Sequence, residues 1–468
     1  MSNFLVLTDD NLSAKYILSE KSVKENTDGK FEWVENHSRL VVSIILDYRS
    51  ISQEYIICKD NDYQYVLSNI ESNSLDLPEH GFLVHGWKSY IPSMFRLPTI
   101  PVDSFRAHED WKEDVLAIFR SSEKINSPLL PGSGGNSDIM KVEEFAPYSY
   151  LSDQFGLAYY NEPIVFDSSI VFNQGLFVWE SLQMQRLSPT KTSLLYDFMD
   201  QKVYFSFLGR QVKLKKIGLL LYACNYGHWF TQNFPALHAF RRLIDNGTVA
   251  ADEALIVTRG LSKFQLRVFE LFGLGHIDVL DVASPHTDRL QLDAAFLPTS
   301  CMVDHRFAWS SYLSDAFNSI RPRSNPESPR YIFVSRKDVG NKRGLRNEDE
   351  LLSTLKQAGF DFTPIEAANY SFDEQREIFS NAHIVIGPHG SGLNNLMWAP
   401  RGRVGIELIH DGMIENRCWF YHQLTMAGYQ YGVINAKRDH ATEAGIDDTM
   451  HVEPEMLVNL VKQAASQL

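Results

Sequence analysis

A chain of 468 residues exceeds what one ordinary core accommodates and divides into two or three domains. Apolar residues make up 44% and charged residues 22%, an ordinary globular composition, while 58 acidic against 44 basic residues leave a net charge of −14. That balance speaks against a nucleic-acid binder, which carries a basic footprint, and against general adhesion to an anionic membrane.

Four cysteines, Cys58, Cys224, Cys301 and Cys418, lie far apart with no CxxC pair. They read as free thiols in a reducing compartment rather than as a disulfide framework or zinc knuckle. The start of the chain has no basic segment before an apolar run, and no stretch approaches the length needed to cross a bilayer. A cytoplasmic protein is the expectation.

Before residue 140 the elements are hard to read. Leu40–Leu46 and Tyr55–Cys58 have strand character, and Ala107–Ser121 is expected to be helical. Pro131–Ser137 is Gly/Ser-rich and is expected to be a mobile linker. Short strand-like runs follow at Ile164–Phe166, Leu176–Trp179 and Val203–Phe207. The pattern then changes to strand–helix alternation: strands at Ile217–Ala223, Ala254–Val257, His276–Leu280 and Ala294–Leu297, helices at Trp229–Ile244 and Ser262–Phe272. Three prolines between Arg321 and Arg330 interrupt it.

Alternation then resumes more cleanly. Strands are expected at Tyr331–Ser335, Phe362–Ile365, His383–Ile386, Val404–Ile409 and Tyr431–Ile434. Helices are expected at Asn347–Gln357, from a Ser371/Glu374 capping box to Ala382, at Gly392–Trp398, at Glu415–Ala427 and at Pro454–Ala465. The fold class is therefore α/β: two consecutive units facing a cleft, with an additional N-terminal α+β region. The domains are 1–140, of unassigned role, 141–325 and 326–468. Ligands of such sheets sit beyond the carboxyl ends of the strands.

Four segments carry candidate chemistry. Ile384–Leu396 ends a buried strand in a turn with three glycines, Gly387, Gly390 and Gly392, before a helix starts. Backbone N–H groups of Ser391, Gly392 and Leu393 at that start suit a diphosphate, with His389, Asn394 and Asn395 beside them. The alternative is a tight turn without ligand. Val334–Arg346 follows the first strand of the same unit. Arg336 and Arg343 are candidates for paired hydrogen bonds to phosphate, the alternative being a solvated basic loop. Glu407, inside a buried strand, either accepts from ribose hydroxyls or pairs with a structural Arg or Lys. His228 opens a helix after a strand in the first unit. It is either a general base or a capping, aromatic-packed histidine. Asp60-Asn-Asp62 has the form of a metal-binding acid pair, but it lies on a polar loop far from the other motifs and gives little support for a metal site.

Read together, Ser335-Arg336, Arg343, Asn347-Glu348, Gln375, Gly387–Asn395 and Glu407-Leu408 resemble the motif order of glycosyltransferase family 61, in particular its bacterial capsule and surface-polysaccharide members. Asn225-Tyr-Gly-His-Trp229 resembles that family's Asn-x-x-His-Trp motif. The resemblance covers roughly residues 217–435. Two positions depart from it: Gln232 stands four residues after His228, where the family often has an acid, and Asn394 stands where it often has threonine.

The resemblance implies a two-Rossmann, GT-B type fold and an inverting transferase. Its donor is a nucleotide-diphosphate sugar and its acceptor a glycan or lipid-linked glycan, which would bring the chain to the inner face of a membrane. No metal or other cofactor is implied. His228 is the expected base, and Arg336, Arg343, His389, Gly390, Ser391, Gly392, Asn394, Asn395 and Glu407 the expected donor contacts. Fixed positive groups would then stabilise the departing diphosphate. A rival from another class is a non-catalytic sensor of nucleotide-sugars or carbohydrates, which Gln232 in place of an acid favours.

Overall fold

The computed structural model describes residues 155–166, 210–222, 226–282, 288–298, 310–337, 343–410, 419–438 and 448–468 in continuous runs. It also describes the shorter runs 23–25, 31–33, 39–46, 51–60, 63–68, 80–85, 99–101, 115–121, 123–126, 129–135, 149–151, 170–173, 176–177, 194–197, 202–206, 302–303 and 306–307. Sequence expectations at 61–62, 107–114, 136–137, 178–179, 207, 223–225, 338–342 and 415–418 fall outside these residues.

Two mixed α/β units share one packed core. In chain order, the first contains β1 (Val115–Arg120), β2 (Phe155–Asn161), β3 (Arg210–Leu220), α1 (Tyr226–Asp245), β4 (Ala254–Thr258), α2 (Lys263–Leu271), β5 (Asp278–Asp281), β6 (Asp288–Pro298) and α3 (Tyr312–Ile320). Strands β5, β4, β3 and β6 run parallel, and β2 and β1 extend the sheet antiparallel. β4 is buried along its whole length, as a strand covered on both faces requires. Helix α2 begins where Ser262 and Gln265 cap each other, satisfying two amides of its first turn.

The second unit contains β7 (Tyr331–Ser335), α4 (Glu348–Gln357), β8 (Thr363–Glu366), α5 (Phe372–Phe379), β9 (Ile384–Pro388), a 3₁₀ helix (Ser391–Trp398), β10 (Val404–His410), α6 (Trp419–Met426), β11 (Gln430–Arg438) and α7 (Pro454–Ala465). Its parallel strands lie in the order β8, β7, β9, β10, β11. The chain goes from β7 to one neighbour, β8, and returns on the other side as β9. The strand order therefore reverses between β7 and β9, and at such a point the loops after the two strands diverge and leave a crevice.

Two expectations before residue 140 are corrected. Val115–Arg120 is a strand, not the end of a helix: its β-branched and aromatic side chains suit a sheet, and it pairs with β2. The Gly/Ser-rich stretch is not a free linker over its described part. Gly134 and Gly135 pair in parallel with Ile434 and Asn435, the Leu130 amide donates to the Tyr431 carbonyl at 3.0 Å, and Leu130 is buried in the second core. Residues 115–135 thus add strands to both sheets. Helix α3 went unread in the sequence; it packs Tyr312, Phe317 and Ile320 into the shared core.

Aromatic side chains from both units form the junction. Trp398 lies between Phe317 of the first unit (ring centroids 4.9 Å) and Phe372 of the second (5.6 Å), with Phe230 and Phe234 behind it. The Arg376 guanidinium sits 5.2 Å over the Trp398 ring and donates to the Ile320 carbonyl at 2.7 Å. Arg267 and Asp373 add an exposed cross-unit ion pair at 2.7 Å. Burial of this many large rings, rather than the surface pair, fixes how the units dock.

Candidate active site

The candidate residues gather at the reversal point. Gly390 follows β9, and a Cβ there would overlap the Arg336 guanidinium, whose Cζ would be 3.3 Å away. Arg336 therefore reaches up to the glycine with one end of its guanidinium. Arg343 points to the same turn, its Nη1 reaching the His389 carbonyl at 3.5 Å. Its backbone has φ +58°, a region that non-glycine residues occupy at a cost. The loop that imposes it is pinned on its far side, where the Met450 amide donates to Gly344 and the Arg346 amide to Met450, both at 3.0 Å. Two guanidinium groups are thus held against one turn.

The three glycines of the turn serve this packing. A Cβ on Gly387 would lie 2.8 Å from Val334 Cβ, and one on Gly392 2.5 Å from Val334 Cγ1. Two of the glycines let the turn close onto β7, and the third admits Arg336. The helix that follows is 3₁₀ rather than α. Its tighter turn makes the Leu393 amide donate to the Gly390 carbonyl at 3.0 Å. The expectation that Leu393 offers a free N–H is corrected for that reason; Ser391 and Gly392 are the remaining amides of the start.

Asn394, Asn395 and Glu407 are buried, and their side chains are engaged with protein partners. Asn394 is buried. It donates to the Gly227 carbonyl at 3.2 Å and accepts from Gln423 at 2.6 Å. Asn395 is 1% exposed, donating to Gln375 at 3.0 Å and accepting from Trp398 Nε1 at 3.2 Å. Gln375 in turn donates to the carbonyls of Ala367 (2.8 Å) and Tyr370 (3.0 Å). Glu407 is 1% exposed and both its oxygens are engaged. Oε1 lies 2.5 Å from His389 Nδ1, and Oε2 accepts from the Tyr431 hydroxyl. Within the protein, the partner of this buried acid is not an Arg or Lys but a histidine of the turn itself. The buried polar run is largely a scaffold behind the part-exposed Arg336, Arg343 and Ser391–Gly392 backbone.

Helix α1 brings the other motif to the same place. A Cβ on Gly227 would lie on Ser391 Oγ, 3.0 Å from Ser391 Cβ and 3.2 Å from Asn394 Nδ2. The first turn of α1, which carries His228, therefore abuts the start of the 3₁₀ helix; the His228 side chain itself lies outside the description. Gln232, one turn on, is buried, and neither of its amide atoms has a hydrogen-bond partner among the described residues. Asn233 closes the strand end before α1, exchanging hydrogen bonds with the Tyr222 N–H (3.0 Å) and carbonyl (3.1 Å). Lys337, in the same basic run as Arg336, is turned away to Asp349 at 2.7 Å and Glu348 at 3.4 Å.

Residues 226–406 match the family model described as Glycosyltransferase 61. The chain carries a glycosyltransferase 61 domain. It is a glycosyltransferase, an enzyme class that takes a sugar from a donor to an acceptor. The matched span opens at the first residue of α1 and closes within β10. It therefore contains Gly227 and the reversal point together and ends one residue before Glu407, over a narrower stretch than the sequence motifs suggested. Comparison with curated proteins returns no match. Tyr431 and Gln423 contribute to the site, yet no sequence motif pointed to them. Only strand register and helix docking put them there.

Among the described residues, no group of three or more His, Cys, Asp or Glu side chains could hold a metal ion, and no helix is long and apolar enough to cross a membrane.

Proposed function

We propose that the glycosyltransferase 61 domain works as an inverting, metal-independent enzyme of the GT-B type, with a nucleotide-diphosphate sugar as donor and a glycan hydroxyl, free or lipid-linked, as acceptor. A role in surface or capsular polysaccharide synthesis, in the cytoplasm or at the inner face of the cell membrane, accords with that donor. One observation carries the reading: Arg336 and Arg343 converge on the Gly390 turn at the strand-order reversal. Two guanidinium groups with the Ser391 and Gly392 amides make a cradle for a diphosphate.

In the reaction the acceptor oxygen forms a bond to the anomeric carbon from the face opposite the diphosphate. The carbon–oxygen bond to the diphosphate breaks, and its electron pair stays on the phosphate oxygen. Negative charge grows there, and the guanidinium groups are preorganised to meet it. The acceptor proton must go to a base, for which we propose His228 on the first turn of α1.

The donor site is tested by calorimetry with nucleoside diphosphates on the native protein and on Arg343→Gln. Affinity should fall about tenfold or more, the scale of a hydrogen bond to a charged group; equal affinity would remove Arg343 from the site. A second reading, a nucleotide-sugar sensor without turnover, rests on Gln232, an amide that takes no proton and is buried beside the motif. Turnover of labelled donor decides between the two.

A further inference from the structure

β1 and β2 are antiparallel neighbours in the first sheet, which a short turn would join, yet residues 121–154 separate them. Connections that long are uncommon within a compact domain and as a rule carry a function. The two legs of this one pair with each other: Lys124–Asn126 runs antiparallel to Ser149–Leu151, with Ile125 opposite Tyr150. Between the legs, Leu130–Gly135 fastens to the second unit.

The fastening follows from local chemistry. The Ser133 amide donates to the Leu130 carbonyl at 3.0 Å, closing a turn over Leu130-Pro131-Gly132-Ser133. Proline presets the second position of such a turn, and Gly132, at φ +89°, supplies the left-handed third. The turn sets Leu130 and Ser133 against one strand. The Leu130 amide donates to the Tyr431 carbonyl at 3.0 Å, and the Val433 amide donates to Ser133 Oγ at 3.3 Å. Gly134 and Gly135 then run parallel beside Ile434 and Asn435. Adjacent leucines divide between the two cores: Leu129 packs on the core that both units share, and Leu130 enters the core of the second unit. Leu130 Cδ1 stands 3.0 Å from where a Cβ on Gly432 would lie. The root of the excursion is tied as well. Asp315 of α3 accepts from Arg120 at the end of β1, and its other oxygen lies 3.5 Å from Arg401 of the second unit.

Two units joined by a single chain crossing can swing about it, because a few residues suffice to absorb the rotation. Residues 321–330, between α3 and β7, are one crossing. The fastened turn is another, and it lies beyond β9, β10 and β11 from β7. At the usual strand spacing the two stand roughly 19 Å apart. Crossings so separated leave rotation only about the line that joins them.

We propose that residues 121–154 form a strap, latched by Leu130–Gly135 to the edge of β11, that keeps the two units from swinging apart where the first turn of α1 meets the Ser391–Trp398 helix. The strap's role does not depend on where the donor binds.

Hydrogen exchange of the full-length protein, read peptide by peptide, tests it. The first amides of a helix have no partner within it, so those of α1 and of the Ser391–Trp398 helix report how readily water reaches the junction. Leu130→Asp puts a charge into the second core. Gly132→Val forces a branched side chain to positive φ in open space, so it strains the turn alone. In both variants, peptides covering 226–229 and 391–392 should exchange about tenfold faster or more. Strand β4, inside the first unit, should exchange as in the native protein, which separates release of the strap from a general loss of stability. Should Leu130→Asp fail to fold, Gly132→Val carries the test. Faster exchange confined to 129–135 and 431–435, or native exchange throughout, would overturn the strap and leave Leu130–Gly135 as a cover for the edge of the sheet. An equal quickening of β4 would overturn it too, and would assign the segment to folding stability.

Discussion

Asn394 donates its side-chain amide to the backbone carbonyl of Gly227 across the junction of the two α/β units, 3.2 Å apart and out of contact with water. That one bond ties the histidine-bearing turn of α1 to the helix that follows the phosphate-type turn. Gly227 permits it, because any side chain there would occupy the place of Ser391. Residues separated by 167 positions are thereby held as one site.

Gly227→Ala should therefore cost activity beyond its effect on folding. Its methyl would meet Ser391 Oγ and Cβ, and overpacking of a tight contact costs on the order of 1–3 kcal/mol. We expect a lowered melting temperature, and turnover reduced well below what the remaining folded fraction accounts for, read by calorimetric melting beside a donor-turnover assay. Unchanged turnover would mean that the α1 start and the turn need not be in register.

Gly390→Ala should weaken binding and also lower stability. Its Cβ would meet the end of the Arg336 side chain, which can swing aside, but the Gly390 backbone, at φ +158°, is one that side-chain-bearing residues rarely adopt. Nucleoside-diphosphate affinity of the folded protein should fall about tenfold or more, with a lowered melting temperature. A large drop in melting temperature with affinity retained would assign the glycine a purely structural role.

Trp398→Ala should be among the most damaging core changes. The ring is fully buried between Phe317, Phe372, Phe230 and Phe234, and it also supports Arg376 and Asn395. Large aromatic-to-alanine changes cost roughly 3–5 kcal/mol. Chemical denaturation should show that loss, if the variant accumulates at all.

Stability should fall as pH drops from about 6.5 toward 4. Burial holds the His422 imidazole down to about 4, and burial with the Arg403 and Arg330 guanidinium groups does the same for His383. Both are neutral in the fold, while the unfolded chain takes up their protons near the ordinary value of 6.5. Stability is therefore complete above that value and declines through the interval down to 4. Melting temperatures across pH 4–8 should show the decline, and His422→Gln should flatten it in part.

The strands and helices after residue 210 were legible because both signals are local: continuous apolar runs for buried strands and caps such as Ser371 with Glu374 for helix starts. The site's place was legible too, since a turn after a strand must lie at the carboxyl edge. The roles of its polar residues were not. Asn394, Asn395 and Glu407 sit one residue shell behind the turn, and which way they face depends on strand register and on Gln423, Gln375 and Tyr431 arriving from elsewhere in the chain. The packing role of the glycines was hidden for a related reason: the atoms that fill their missing Cβ positions belong to Val334 and Arg336, distant in sequence. Helix α3 and the β1 strand were missed because short amphipathic runs without caps or turn signals carry little local information.

The most direct test is a structure of the protein with an intact or hydrolysis-resistant nucleotide-sugar bound. The account predicts the diphosphate in front of Arg336 and Arg343, within hydrogen-bonding reach of the Ser391 and Gly392 amides, with the sugar toward the first turn of α1. A diphosphate bound elsewhere, or bridged to the protein by a metal ion in place of the arginines, would contradict it.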